Sequence, residues 1–152
     1  MTLGTRVAAF DADGRVFLVR HTYIAGWHLP GGGIEPGEAP EVAMEREFRE
    51  EAEIALDDLA FMEAHGTGTP VGDQIEASAI GSKLGRGRQA PLPIGSIKTN
   101  IGHTEPVSGL AGLLKASLAL EHDLVPPSLH AAELNPEIPF GELNLDVVRE
   151  PR

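Results

Sequence analysis

Residues 32–54 read GGIEPGEAPEVAMEREFREEAEI, and the fold expected of the chain turns on them. A glycine turn runs into a helix that carries Glu47, Glu50 and Glu51. Offsets of three and four residues stack these carboxylates on one helical face. Like charges so placed repel by roughly a few tenths of a kcal/mol per pair. A cation among them removes that cost, and a hard divalent ion such as Mg²⁺ or Mn²⁺ takes oxygen ligands of this kind. A solvated acidic face would carry the same residues. The helix is expected to begin near Pro40, a residue suited to a first helical turn. Met44, Phe48 and Ala52 give it an apolar stripe.

The stretch resembles the signature of the Nudix hydrolases, in Gly32, Glu38 and then Arg46, Glu47, Phe48, Arg49, Glu50, Glu51, Ala52, Glu53 and Ile54. Phe48 stands where an aliphatic residue is usual, and Glu53 replaces the glycine that normally closes the helix. The preceding WHLPGGG (27–33) is similar to that family's approach to its box. The resemblance covers about the first 55 residues. It implies Mg²⁺ or Mn²⁺ held by Glu47, Glu50 and Glu51, with Arg46 orienting a neighbouring carboxylate and Gly32 and Glu38 in support. The metal would polarise a diphosphate and activate a water for attack at phosphorus. The substrate implied is a nucleoside diphosphate linked to another moiety.

Composition bounds the function classes. A length of 152 residues suits one domain. Hydrophobic content of 41 % and charge of 23 % are those of a soluble globular protein. No apolar run reaches the roughly 18 residues that a membrane span needs. MTLGTRVAAFDADG at the start does not read as a signal peptide, so a cytoplasmic address is expected. Residues 35–63 hold eleven acids against Arg46 and Arg49, a net −9 out of the chain's −11. That concentration argues against nucleic acid as a partner and for a cation-dependent site. The chain has no cysteine, which excludes disulfides, thiolate metal sites and a cysteine nucleophile within it.

Along the chain, residues 5–10 and 15–21 are apolar segments joined by DADG, whose Asp-Gly pair signals a hairpin. After about residue 57 the character changes. Asp73 with Glu76 three residues on reads as a capping-box start to a helix through Ile75, Ala79, Ile80 and Leu84, stopped by Gly85. GRGRQAPLP is a loop, and residues 94–98 are expected to form a short strand. Thr104 and Pro106 open a helix through Leu110, Leu113, Leu114 and Leu118. His103 is thereby placed at a strand-to-helix junction. The tail is Pro-rich and irregular, with LNLDVV (143–148) as a candidate edge strand.

Three motifs lie in this second part: FMEAHGTGTPVGDQIEA from Phe61, PIGSIKTNIGHTEPVSGLAGLLKASLALEH from Pro93 and PPSLHAAELNPEIPFGELNL from Pro126. In order and spacing they resemble the C-terminal part of a β-ketoacyl synthase of the modular polyketide type. The resemblance implies that His65 and His103 are active-site histidines that support decarboxylation of a malonyl unit and condensation. Lys98 matches a lysine of that site, and Thr67 and Thr69 match threonines lining a phosphopantetheine channel. That family acylates a cysteine in its N-terminal half. Without that nucleophile no thioester forms, so this chain by itself cannot condense and the matched residues are vestigial.

The expected organisation is a partial Nudix domain at 1–57 and a partial ketosynthase domain at 58–152. The expected fold is α/β, a mixed sheet with flanking helices in which a truncated hairpin and box helix join a truncated thiolase-like half. The main functional expectation is a Mg²⁺-dependent diphosphate hydrolase, weakened or silenced by truncation. The alternative is a non-catalytic fusion that folds or forms homo-oligomers through its cut apolar faces. A module binding acyl-pantetheine carriers through the HGTGT loop and His103 is a third reading.

Overall fold

LPIG at 92–95 is the segment around which the described sheet is built. The computed structural model describes residues 56–152, together with two earlier positions, Ala43 and Arg46. The chain divides into units Met1–Ala55 and Leu56–Arg152. In the first, Ala43 is buried and Arg46 half-buried, and both are helical. That agrees with a helix starting near Pro40 at these two positions. The expected hairpin and the rest of the acidic helix lie outside the described residues.

In the second unit, a 3-10 turn at Leu56–Asp58 precedes strand β1 (Met62–Glu63). Helix α1 (Pro70–Ile80) follows and passes into a π-turn at Gly81–Gly85. Strand β2 (Leu92–Gly95) leads to the short helix α2 (Lys98–Ile101) and a 3-10 turn at Glu105–Val107. Helix α3 (Ser108–Glu121) and strand β3 (Leu145–Val147) complete the order. Among the described residues the sheet runs β1-β2-β3. Both pairings are parallel, with Met62 opposite Ile94 and Leu92 opposite Leu145. Parallel neighbours need crossover connections, and the helices supply them.

A proline in a central strand needs an explanation, because it removes a ladder donor. Leu92 N–H and the Ile94 carbonyl both bond toward β3, to the Asn144 carbonyl and Val148 N–H. Alternation along the strand therefore turns the Pro93 nitrogen toward β1. That strand begins only opposite Ile94, so no partner is left waiting for the missing donor. Leu92 (0 % exposed), Ile80 (1 %) and Val148 (2 %) form the centre of the core. Leu84, Ile94, Leu143 and Leu145 are buried with them. Asn144, at φ 54°, donates from Nδ2 to the carbonyls of Gly85, Arg88 and Ala90, closing the expected loop after α1.

Two expectations need correction, at residues 94–98 and at the start of α1. Among the described residues the sheet is parallel, and the hairpin that would make it mixed lies outside them. The strand expected at 94–98 ends at Gly95, and Lys98 opens α2 instead. Ile97 takes helical angles there (φ −58°, ψ −22°), and Ile97 and Ile101 have the i, i+4 spacing of a helix face. Helix α1 starts at Pro70 with Thr69 as N-cap, not around a box at Asp73. The Asp73 and Glu76 carboxylates turn instead to the loop before the helix. The edge strand within LNLDVV is present as β3.

Candidate functional site

The loop HGTGT, residues 65–69, leaves β1 and bends back over the end of β2. Such a loop carries backbone N–H groups with no strand to bond, and they need acceptors. Glu76, within α1, accepts two of them: His65 N–H at 2.6 Å and Gly66 N–H at 2.8 Å. Asp73 Oδ1 accepts Gly68 N–H at 3.1 Å. Charge-assisted bonds of this kind are the stronger ones. Thr67 and Thr69, both predicted site residues, place their hydroxyls 3.3 Å apart.

The loop is held from the other side by Ser96. Its Oγ donates to the His65 carbonyl at 3.3 Å and accepts Lys98 N–H at the start of α2. Gly66 sits at φ +48°, and a Cβ there would lie 2.8 Å from Ser96 Cβ. Glycine is therefore required both for the backbone angle and for the approach.

His103 arrives from the opposite direction, after α2. Gly102, at φ 74° and ψ −177°, turns the chain out of the helix. That region is open essentially to glycine alone. His103 Nδ1 accepts Glu105 N–H at 3.2 Å, so the neutral ring carries its proton on Nε2. The result is that His65 and His103 meet edge to face, with ring centroids 5.1 Å apart and planes at 88°. Both are exposed. Residues 38 positions apart in sequence are thus brought into one pair. An exposed pair of imidazoles offers hydrogen-bond donors to an oxyanion or a carbonyl oxygen.

Lys98 is half-buried on α2, the helix whose end delivers His103. Beneath the loop, the Glu63 carboxylate meets Lys115 Nζ of α3 at 2.5 Å, with side chains only 12 % and 5 % exposed. Sequence patterns do not single out Glu63, Ser96 or Lys115, and they assign Glu76 only to a helix start. The contacts that tie these residues to the loop or to α3 span 10 to 52 positions, beyond the reach of local spacing.

Gly32, Glu38, Glu47, Glu50 and Glu51 lie outside the described residues. Among the described residues no group of three His, Asp or Glu side chains is arranged to hold a metal ion. No helix there is long and apolar enough to cross a membrane.

Residues 29–132 match the family described as Beta-ketoacyl synthase, C-terminal domain. A component of the phenolphthiocerol/phthiocerol polyketide synthase of Mycobacterium tuberculosis is 46 % identical over 119 residues, 77 % of this chain and 6 % of its own length. Polyketide synthase GfsA of Streptomyces halstedii is 50 % identical over 112 residues, 74 % of this chain and 2 % of its own. Among solved structures, ketosynthase twelve of the bacillaene polyketide synthase from Bacillus amyloliquefaciens superimposes with a TM-score of 0.68 at 33 % identity. The superposition covers 74 % of this chain and 20 % of that one. The module 1 ketosynthase of the bacillaene synthase gives 0.64 at 34 %, over 71 % and 22 %. The chain therefore spans about a fifth of these ketosynthases and a few per cent of the curated synthases.

The family match overturns the diphosphate-hydrolase reading. It begins at residue 29, so the whole of residues 32–54 falls inside it. Carboxylates at helical spacing fit a solvated acidic helix as readily as a metal site, and the Nudix reading of this stretch is withdrawn.

Proposed function

Because this chain belongs to the β-ketoacyl synthase family, and shares the α/β thiolase-like fold of its ketosynthases, we propose that it is the histidine-bearing part of a polyketide-type condensing site and is non-catalytic on its own. One observation carries this reading: His65 and His103 pair edge to face at 5.1 Å in a chain that contains no cysteine. In this reading the imidazoles serve a thioester carbonyl or the enolate formed as a malonyl unit loses CO₂. An imidazole N–H beside a developing oxyanion stabilises it. Thr67 and Thr69 border the approach of a pantetheine arm, and Lys98 stands by on α2. Carbon–carbon bond formation requires an acyl group first held on a thiolate. That thiolate would have to come from residues outside these 152.

Self-association is part of the same reading. Leu110, Leu114 and Leu118 repeat every four residues along α3 and are 56 %, 55 % and 51 % exposed. Uncovered apolar faces promote association, and a second copy of the chain is the occupant we assign to this one.

The test is direct. The purified chain is incubated with acyl- and malonyl-pantetheine thioesters and read by intact mass and by product analysis. We expect an unchanged chain mass and no condensation product. A mass gain equal to the acyl group, or any carbon–carbon product, overturns the reading.

A further inference from the structure

Glu63 is the one described side chain whose carboxylate joins the routes leading to both histidines. It closes β1 and stands two residues before His65. Its Oε1 accepts the Ile97 N–H at 2.5 Å, and Ile97 caps α2, the helix that ends just before Gly102 and His103. Its Oε2 takes Lys115 Nζ at 2.5 Å. The Lys115 side chain is 5 % exposed and that of Glu63 12 %, so the pair is almost withdrawn from water. Helix α3 makes room for it: a Cβ at Gly112 would lie 3.3 Å from Glu63 Cγ.

A buried ion pair of this kind is a poor stability device. Desolvation cancels much of the attraction, and apolar residues of similar volume often serve as well. What an apolar pair cannot do is accept the Ile97 N–H. Nor can it fix the angle between the end of β1 and the start of α2. Ser96 also links these two segments, through weaker contacts at 3.3 Å.

We propose that the side-chain oxygen Glu63 offers to the Ile97 N–H, seated by Lys115, is a positioning device: it sets α2 against the end of β1 and thereby holds His65 and His103 edge to face. The proposal rests on reading the two histidines as one half-site. Glu63 and Lys115 do not touch a ligand. They act through the segments they join.

Two double variants of the full chain separate this role from plain stabilisation. Glu63→Met with Lys115→Met removes both charges and the acceptor. Glu63→Gln with Lys115→Met removes both charges but keeps an oxygen for Ile97 N–H. The readouts are the cross-relaxation peak between the His65 and His103 ring protons, the exchange protection of the Ile97 amide, and the urea midpoint. We expect the Gln/Met chain to keep the peak and the protection. We expect the Met/Met chain to lose both while keeping a cooperative urea transition.

A Met/Met chain that folds and retains the peak overturns the proposal. So does a folded Gln/Met chain that loses the peak while Ile97 stays protected. If the Met/Met chain does not fold, the Gln/Met arm decides alone: peak and Ile97 protection kept or lost together support the device, and either one kept without the other sinks it. Absence of the peak in the unaltered chain would instead defeat the half-site reading. The two failures are therefore told apart.

Discussion

At the scale of single residues, the site depends on acceptors that have no sequence signature. Glu76 binds two adjacent loop N–H groups, and removing it leaves both without that acceptor. Glu76→Ala should cost about 1.5–3 kcal/mol. Urea unfolding checks the cost, and faster exchange of the His65 and Gly66 amides checks the mechanism. Gly66→Ala should be comparably damaging. It forces an L-residue to φ +48° and drives a methyl group into Ser96 Cβ, a loss of about 1–3 kcal/mol. His65, His103, Lys98, Thr67 and Thr69 were singled out because long motifs carry them, and of these the structure brings the two histidine rings together. Glu76 reads as part of a helix cap because Asp and Glu three apart have that look. Only the folded loop reveals which N–H groups those carboxylates meet.

At the scale of elements, the sequence served well where a segment's own pattern decided its state. The helix through Ala79 and Ile80, the helix through Leu110 to Leu118 and the C-terminal edge strand were all found near their expected places. It failed at residues 94–98, where so short a segment, with Ile94 and Ile97 three apart, fits either a strand or a helical turn. Tertiary contact decides there, because the Glu63 carboxylate takes the Ile97 N–H and no strand partner does. Breaking that arrangement from the other end should be costly. Lys115→Ala leaves a carboxylate buried without its counter-charge, and about 3–5 kcal/mol of stability should disappear. Thermal or urea unfolding of the single variant measures it, and a loss under about 1 kcal/mol would show the pair to be solvent-screened.

At the scale of the whole molecule, the second unit leaves several large apolar side chains uncovered. Ile101, Val107, Leu110, Leu114 and Leu118 are each more than half exposed, while the matched segment makes up only 20 to 22 % of the solved ketosynthases it resembles. Replacing Leu114 and Leu118 together by Glu should shift the chain toward monomer in sedimentation velocity. Neither residue is in the core, so stability should change by no more than about 0.5 kcal/mol per site. A chain that is monomeric before the change would defeat the self-association reading. The misreading of residues 32–54 belongs to this scale too. Stacked glutamates describe one helix, and one helix does not identify the body it is packed in. The match that settles the family runs from residue 29 to residue 132, and no single element in that span contains the information.

The order of the parallel sheet also bears on how the molecule is made. β3 is synthesised about 50 residues after β2, the strand it covers. At a translation rate of about 5–20 residues per second, β2 waits roughly 3–10 s with one flank bare. During that interval Leu92, later the most enclosed side chain of the sheet, is available to any passing strand. A ribosome stalled between these two strands would therefore display an adhesive ribbon, and holdase chaperones should be found on nascent chains of that length.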